Sequence, residues 1–151
     1  MKPLIVLISV FLATSGVLML TPAGLNLMLA ANISMSAMLL FTAIGHFKFT
    51  KGMAMMIPSF IPYKTPLVYL TGLAEIAFGC ALLIPFCRAN TVYILIVFYT
   101  LILPANIYAA IKNVNYEQAD NTGPGLKYLW FRVPEQVFFI AWLYLFNIGL
   151  Q

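Results

Sequence analysis

Charge is what this sequence most lacks. It has 8 lysines and arginines and 4 aspartates and glutamates in 151 residues, 8% in all, where a soluble domain carries about 25% charged residues. With 63% hydrophobic residues and a mean hydropathy of +0.97, there is too little polar surface to cover a globule in water. That excludes a soluble domain, and so much apolar residue excludes a disordered chain. The net charge of +4 does not point to nucleic acid, because the basic residues sit between apolar runs rather than on one face. Histidine and cysteine are almost as scarce. With His46 as the single histidine and no C-x-x-C-H, a bis-histidine haem is excluded unless a partner supplies a ligand. Cys80 and Cys87 fall on one expected helix, about 10 Å apart along its axis, beyond the roughly 7 Å that a disulfide spans between Cα atoms. No C-x-x-C is present, so both read as small buried apolar residues. Met53, Met55 and Met56 with His46 would suit a soft metal, but such a cluster reads first as an adaptable apolar anchor, and no metal site is expected.

What the sequence has instead is long apolar runs. A spanning helix needs roughly 20 mostly apolar residues, and five runs qualify: Pro3 to Leu20, Leu25 to Phe47, Pro66 or Leu67 to Phe86, Asn90 to Ile111, and Tyr128 to Ile148. This is an all-α polytopic membrane helix bundle, expected as an N-terminal helix and turn (1–24) followed by a membrane domain (25–151). Tight turns are expected at 21–24 and 87–89. Between the runs, 48–65 carries Pro58, Pro62 and Pro66, which exclude a continuous helix, and reads as an interfacial, partly re-entrant segment. The stretch 112–127, with Glu117, Asp120 and Gly123-Pro124-Gly125, reads as water-exposed. Lys2, Lys48, Lys51, Lys64, Lys112 and Lys127 share one side and Arg88 stands alone on the other, so the positive-inside rule orients the chain N-in, C-out. Lys2 with the run before Thr21-Pro22-Ala23-Gly24 also fits a signal peptide. A retained span is preferred, and the later helices keep their orientation either way.

A few polar residues interrupt these runs. Counting at 1.5 Å per residue from the cytoplasmic ends puts His46 about 2 Å deep, Arg132 about 6 Å, Asn106 about 8 Å, Glu135 and Gln136 about 10–12 Å, and Glu75 about 13 Å. They form one layer in the cytoplasmic half. Arg132, Glu135, Gln136 and Phe139 share a helix face at i, i+3, i+4 and i+7. Gly72, Glu75 and Gly79 share another, where a neighbouring helix can come close beside the carboxylate. Thr42 lies one turn before His46, and Arg132 is expected to neutralise Glu75 or Glu135, with the Glu75 pairing the sharper expectation. Intramembrane ionisable groups are costly and mark function or partnership. The layer reads either as a structural lock or as a ligand pocket open to the cytoplasmic leaflet. A proton or solute path is disfavoured, since the outer half offers no polar residues to continue it. Trp130 with Tyr128, and Tyr144 at the other end, read as interfacial aromatic belts.

The residues also carry a resemblance. Gly45-His46-Phe47, Met56-Ile57-Pro58, Ile61-Pro62, Tyr69-Leu70-Thr71-Gly72-Leu73-Ala74-Glu75, Leu83-Ile84-Pro85 with Arg88, Pro104-Ala105-Asn106-Ile107-Tyr108 and Phe131-Arg132-Val133-Pro134-Glu135-Gln136 together resemble the DoxX-like family of small membrane proteins over about residues 28–147. The resemblance implies a four-helix antiparallel core, here with one extra N-terminal transmembrane helix, similar to the bundle of vitamin K epoxide reductase without its cysteine pairs. Members are linked to quinone-coupled sulfur oxidation, oxidative-stress complexes and receptor assembly. It carries over His46, Glu75, Asn106, Arg132 and Gln136. Glu135 departs from the pattern, which has an apolar residue there. The resulting expectation is an accessory subunit of a quinone-linked redox system in the cell (inner or plasma) membrane, without catalytic activity of its own. A quinone would be held among His46, Glu75, Asn106, Arg132, Glu135 and Gln136. The alternative is an assembly or scaffold protein. Expected partners are the bilayer and other membrane subunits or a second copy.

Overall fold

The computed structural model describes residues 2–22 and 24–149. These residues form helices α1 (Lys2–Met19), α2 (Leu27–Lys48), α3 (Thr50–Met56), α4 (Lys64–Leu83), α5 (Pro85–Ile111) and α6 (Leu129–Tyr144). A 3-10 turn, Gly125–Tyr128, leads into α6, and a π turn, Leu145–Gly149, continues it. Among the described residues no strand forms, only an isolated bridge between Asn115 and Asp120. Helices α1, α2, α4 and α5 are each long and apolar enough to cross a membrane. The α6 helix is shorter, at 16 residues, and carries Arg132 and Glu135.

Local chemistry sets the boundaries. Asn26 caps α2 by accepting from the Leu29 N–H at 2.9 Å, satisfying one of the donors a helix start leaves over. Of the expected breaker at 21–24, Ala23 lies outside the described residues. The tight turn expected at 87–89 is helical instead. The break falls at Ile84, extended at φ −91°, ψ 113°, because a residue before proline is pushed out of the α region and Pro85 is well suited to the first helical position. In 48–65 the prolines leave room for one short helix, α3, followed by irregular chain from Ile57 to Tyr63.

The bundle is built around α2, which buries nine residues, five of them Ala or Ser. Small side chains there let α4 approach closely. Ser36 Oγ donates to the Gly79 carbonyl at 2.7 Å, and a Cβ on Gly72 would stand 2.8 Å from His46 Cβ. By contrast α1 buries only Leu7. Its N-terminal end is tied to the 112–124 segment by Lys2 Nζ and Glu117 Oε1 at 2.7 Å. At its other end the Phe11 ring packs 4.8 Å from Trp142 and 5.5 Å from Phe146. The core between the helices is apolar, with Met35, Leu39, Leu82, Leu95, Phe139 and Leu143 at its centre.

The segment after α5 is less exposed than its composition suggests. Gly52 on α3 lies directly under the Tyr116 backbone, where a Cβ has no room. The rings of Phe49 and Tyr116 meet at 5.9 Å. Together α3 and this segment form a cap over the end of the bundle that holds Lys2, Lys48 and Lys64.

Candidate functional site

Glu75 is buried on α4 at 5% exposure, and the residue facing it is His46, from the last turn of α2. His46 Nε2 stands 3.4 Å from Glu75 Oε2, within ion-pair distance but not aligned as a hydrogen bond, so that oxygen has no hydrogen-bond partner. The other ring nitrogen, Nδ1, lies 3.1 Å from Thr71 Oγ1. The Thr71 hydroxyl also sits 2.9 Å from the Val68 carbonyl. Its single hydrogen is best assigned to that shorter contact, and Nδ1–H then donates to Oγ1. With Nδ1 protonated, a neutral imidazole turns a bare Nε2 lone pair toward the carboxylate. His46 and Glu75 thus face each other across the α2–α4 seam.

The second pair lies within α6. Arg132 Nη1 donates to Glu135 Oε2 at 2.8 Å, three residues along the same helix, and the Glu135 side chain is fully buried. The Arg132 guanidinium sits 5.8 Å from the Tyr128 ring centre, a cation–π distance. Arg132 Nε and Gln136 Oε1 are buried with no hydrogen-bond partner. The expected pairing of Glu75 with Arg132 is thus corrected: Glu75 is met by His46 and Arg132 by Glu135. A neighbour at i+3 is in reach whatever the bundle does, whereas a pairing between helices depends on how they are rotated.

The two pairs share a surrounding. Tyr99 of α5, buried at 5% exposure, lies within Coulombic reach of Glu75, Arg132 and Glu135. Its ring is 5.7 Å from Phe139, and its hydroxyl has Met35 Sδ at 4.0 Å, a weak acceptor. Asn106 and Gln136 are also buried. Four of the sequence-selected residues thus pair two by two, with Tyr99 in the neighbourhood of both pairs. Thr42 does not join them, since its hydroxyl donates back to the Leu39 carbonyl at 2.9 Å.

Sequence reasoning missed Tyr99, seven residues before Asn106 and so on the same face of α5, and Thr71, one turn before Glu75. It also missed Asn32 and Asn147, whose side chains bond across helices in the other half of the bundle, Asn32 Nδ2 donating to Asn147 Oδ1 at 2.9 Å. This corrects the expectation that the far half offers no polar residues. Cys80, expected to be buried, is exposed on the outside of the bundle.

Two concavities border α6. One, of about 310 Å³, is lined by Leu129, Trp130, Val133 and Pro134. The other, of about 440 Å³, runs between α1 and α6, lined by Leu4, Ile8, Trp130, Phe131, Pro134, Glu135 and Phe138. Neither includes His46, Glu75, Asn106 or Gln136. Among the described residues no three His, Cys, Asp or Glu side chains gather as a metal would need. Among the described residues, the buried polar atoms of this layer without a hydrogen-bond partner include the donor Arg132 Nε and the acceptors Glu75 Oε2 and Gln136 Oε1.

Outside the helices, burial beneath α3 pushes the Tyr116 phenol up to about 12, and the hydrogen bond from Lys2 holds the Glu117 carboxyl below its ordinary range. Against known proteins, a family model described as a domain of unknown function (DUF8561) matches residues 35–147, a stretch that holds all six sequence-selected site residues and leaves α1 outside. No curated protein and no solved structure matches the chain.

Proposed function

The chain belongs to the family described as a domain of unknown function, DUF8561, and from that premise and the polar layer we propose that it is an integral membrane protein with five spans, N-in and C-out, in the cell membrane. Its polar layer holds the head group of a quinone-type ligand for a membrane redox system in which it is an accessory subunit. The DoxX-like motif order supports that setting. So does the clustering of six lysines at one end of the bundle, which the positive-inside rule assigns to the cytoplasm.

The observation that carries the reading is the unmet hydrogen-bonding of Arg132 Nε, Glu75 Oε2 and Gln136 Oε1. Buried polar atoms are nearly always paired with protein or water, and leaving them bare is expensive where the surroundings are apolar. A quinone has two acceptor carbonyls and a quinol two donor hydroxyls. Arg132 Nε meets the first, and Glu75 and Gln136 meet the second. Reduction of such a head group to a quinol takes two electrons and two protons, and oxidation releases them. Asn106 lines the same level of the bundle. In this reading the electrons and protons come from and go to partner subunits and the aqueous phase.

A mild-detergent purification from the native membrane, with mass spectrometry of proteins and organic extract, tests this. The expected result is a stoichiometric quinone that is lost in Glu75→Gln or Gln136→Leu while the protein remains folded. A second reading is favoured by the closeness of the pairs and of the α2–α4 seam: the layer is a lock that fixes helix packing in an assembly protein. Stoichiometric partner proteins without any small molecule, and Glu75→Gln lowering only stability or partner recovery, would establish that reading and overturn the first.

A further inference from the structure

We propose that α3 is a hinged gate over the lysine-bearing end of the polar layer, and that the loop from Asn113 to Gly125 is the strap that holds it shut above His46. The gate serves the head-group reading above, as the way by which protons from the aqueous phase reach the layer. The probe that tests it contains no quinone, so either can fail alone.

Helix α3 has the placing of a gate. It packs against α2, α4 and α5 at once, so it lies across the end of the bundle rather than along one helix. Thr50 Oγ1 donates to the His46 carbonyl at 2.6 Å, and Met53 Cε stands 3.5 Å from where a Cβ on Gly45 would be. The gate thus rests on the residues at which the α2–α4 seam ends. Within that seam His46 faces Thr71 and Glu75. The His46 side chain is 18% exposed and that of Glu75 6%, so the imidazole is the member of the pair nearer to water.

Both ends of α3 are breaks. Phe49, at φ −114° and ψ 30°, is the one non-helical residue between α2 and α3, and hinges are a few such residues at element ends. Beyond Met56 the chain is irregular from Ile57 to Tyr63, where Pro58 and Pro62 prevent helix. The seven residues of α3 therefore move as one piece.

The strap is a body of its own. Its neck is closed by the Gly123 N–H, which donates to the Asn113 carbonyl at 2.7 Å. Its interior is closed by the Asn115 N–H on the Asp120 carbonyl at 2.8 Å and by Thr122 Oγ1 donating to Asp120 Oδ1 at 2.7 Å. A compact loop with its ends together and its own internal bonds is an Ω-loop. It is pressed onto α3 by Tyr116, whose carbonyl occupies the place of a Gly52 Cβ and whose ring meets Phe49 at 5.9 Å. Next along the tip, Glu117 meets Lys2 in an exposed ion pair, a kind of contact that holds weakly. A segment stiff inside and lightly held outside opens as a unit.

The probe is diethyl pyrocarbonate, which carbethoxylates unprotonated imidazole. His46 is the single histidine of the chain, so one site is read. The full-length protein in phosphatidylcholine nanodiscs is treated at neutral pH, and the His46 peptide is followed by mass spectrometry against the exposed Lys127. The parent should react slowly. Tyr116→Ala, which strips the ring from Phe49, should speed the reaction about tenfold, the change in open population that losing one aromatic contact brings. Gly52→Leu, with no room beneath the Tyr116 carbonyl, should speed it at least as much, and Tyr116→Ala serves if that variant does not fold. Conversely, with Cys80 and Cys87 replaced by serine, Phe49→Cys and Tyr116→Cys joined by a short bis-methanethiosulfonate should slow the reaction, and reducing the cross-link should restore it. A Tyr116→Ala protein that melts lower but keeps His46 as slow as in the parent makes α3 a fixed cap and overturns the proposal. So does a cross-link that leaves the rate unchanged, since His46 is then reached from elsewhere. Either of these results, beside a stoichiometric quinone in the purified protein, leaves the head-group reading standing without the gate.

Discussion

A Cβ on Gly72 would stand 2.8 Å from His46 Cβ, a separation that nonbonded carbons do not tolerate, and neither atom is on a flexible arm. Gly72→Ala therefore has to push α2 away from α4, and overpacking of this kind costs about 1–3 kcal/mol. The same displacement lengthens the His46–Glu75 contact. Gly79→Ala, whose Cβ would meet the Ser36 carbonyl at 3.4 Å, should cost clearly less. Thermal unfolding of both variants in one detergent checks this, and equal losses would mean the seam gives more freely than its geometry indicates. At this scale the charged residues were legible because an ionisable group in an apolar run has so few acceptable surroundings. Tyr99 and Thr71 were not, because a phenol or a hydroxyl on such a helix is cheap enough to pass as filler. Thr71 has two helix carbonyls of its own within 3.1 Å, so nothing in its sequence position demanded His46. The choice between Glu75 and Glu135 as partner of Arg132 was open for a similar reason: both lie within a plausible radius, and only the rotation of α6 decides.

The elements were read well where composition changes sharply and less well where it does not. Each long helix ends within a few residues of a charge or a proline, as the apolar runs imply, but Pro85 starts α5 where a turn was expected two residues later, since Arg88 reads as loop and is compatible with helix. Its Nε donates to the Leu82 carbonyl at 3.0 Å, so its charge is spent on the end of α4. The π turn after α6 had no sequence signal. It carries Asn147, which accepts from Asn32 and whose own Nδ2 donates to the Leu143 carbonyl at 3.1 Å. This amide pair joins α2 to the end of α6 in the apolar half of the bundle. Replacing one member removes the bond across the helices while Asn32 keeps the Met28 carbonyl at 2.8 Å and Asn147 the Leu143 carbonyl, a loss of about 0.5–1.5 kcal/mol. Replacing both with leucine removes the need as well as the bond and should recover most of it. Pair energies of this kind inside membranes average about 0.6 kcal/mol in mutant cycles, and with the double variant recovering, the coupling in the Asn32→Leu, Asn147→Leu cycle should be at least as large as either single loss. Single variants as stable as the parent would show that water reaches this half of the bundle.

For the whole molecule, the charges at one end bear on orientation and on how the start of α1 is held, the rest of α1 being packed against α2 and the apolar core. The Lys2–Glu117 contact depends on a carboxylate whose pKa is held below its ordinary 4.5 by the Lys2 hydrogen bond. A depressed pKa means the contact stabilises the folded arrangement fully above about pH 4.5 and is lost as pH falls through the lower, folded value. Spin labels on the outer side of α1 and on residue 118 should keep one distance from pH 8 to pH 5 and separate at more acid pH. Lys2→Glu should show the separated state throughout, because two carboxylates then face each other. The proposed orientation in the bilayer rests on the same charges. The proposed five spans would place Lys51 and Gln118 together on one side and Arg88 on the other. With Cys80 and Cys87 replaced by serine, single cysteines at these three positions can be labelled by an impermeant maleimide on intact cells and again on inverted vesicles. Labelling of position 88 from outside, and of 51 and 118 only in inverted vesicles, is the expected pattern. Should α1 lie along the surface instead of crossing, the positions in the later helices would keep their sides, and a cysteine replacing Lys2 would decide. It reacts from the cytoplasmic side alone if α1 crosses, since the Glu117 contact places it beside the 112–124 segment. Reaction of position 2 from outside, with 118 still inside, would separate α1 from that segment and overturn the Lys2–Glu117 contact together with the proposed first span.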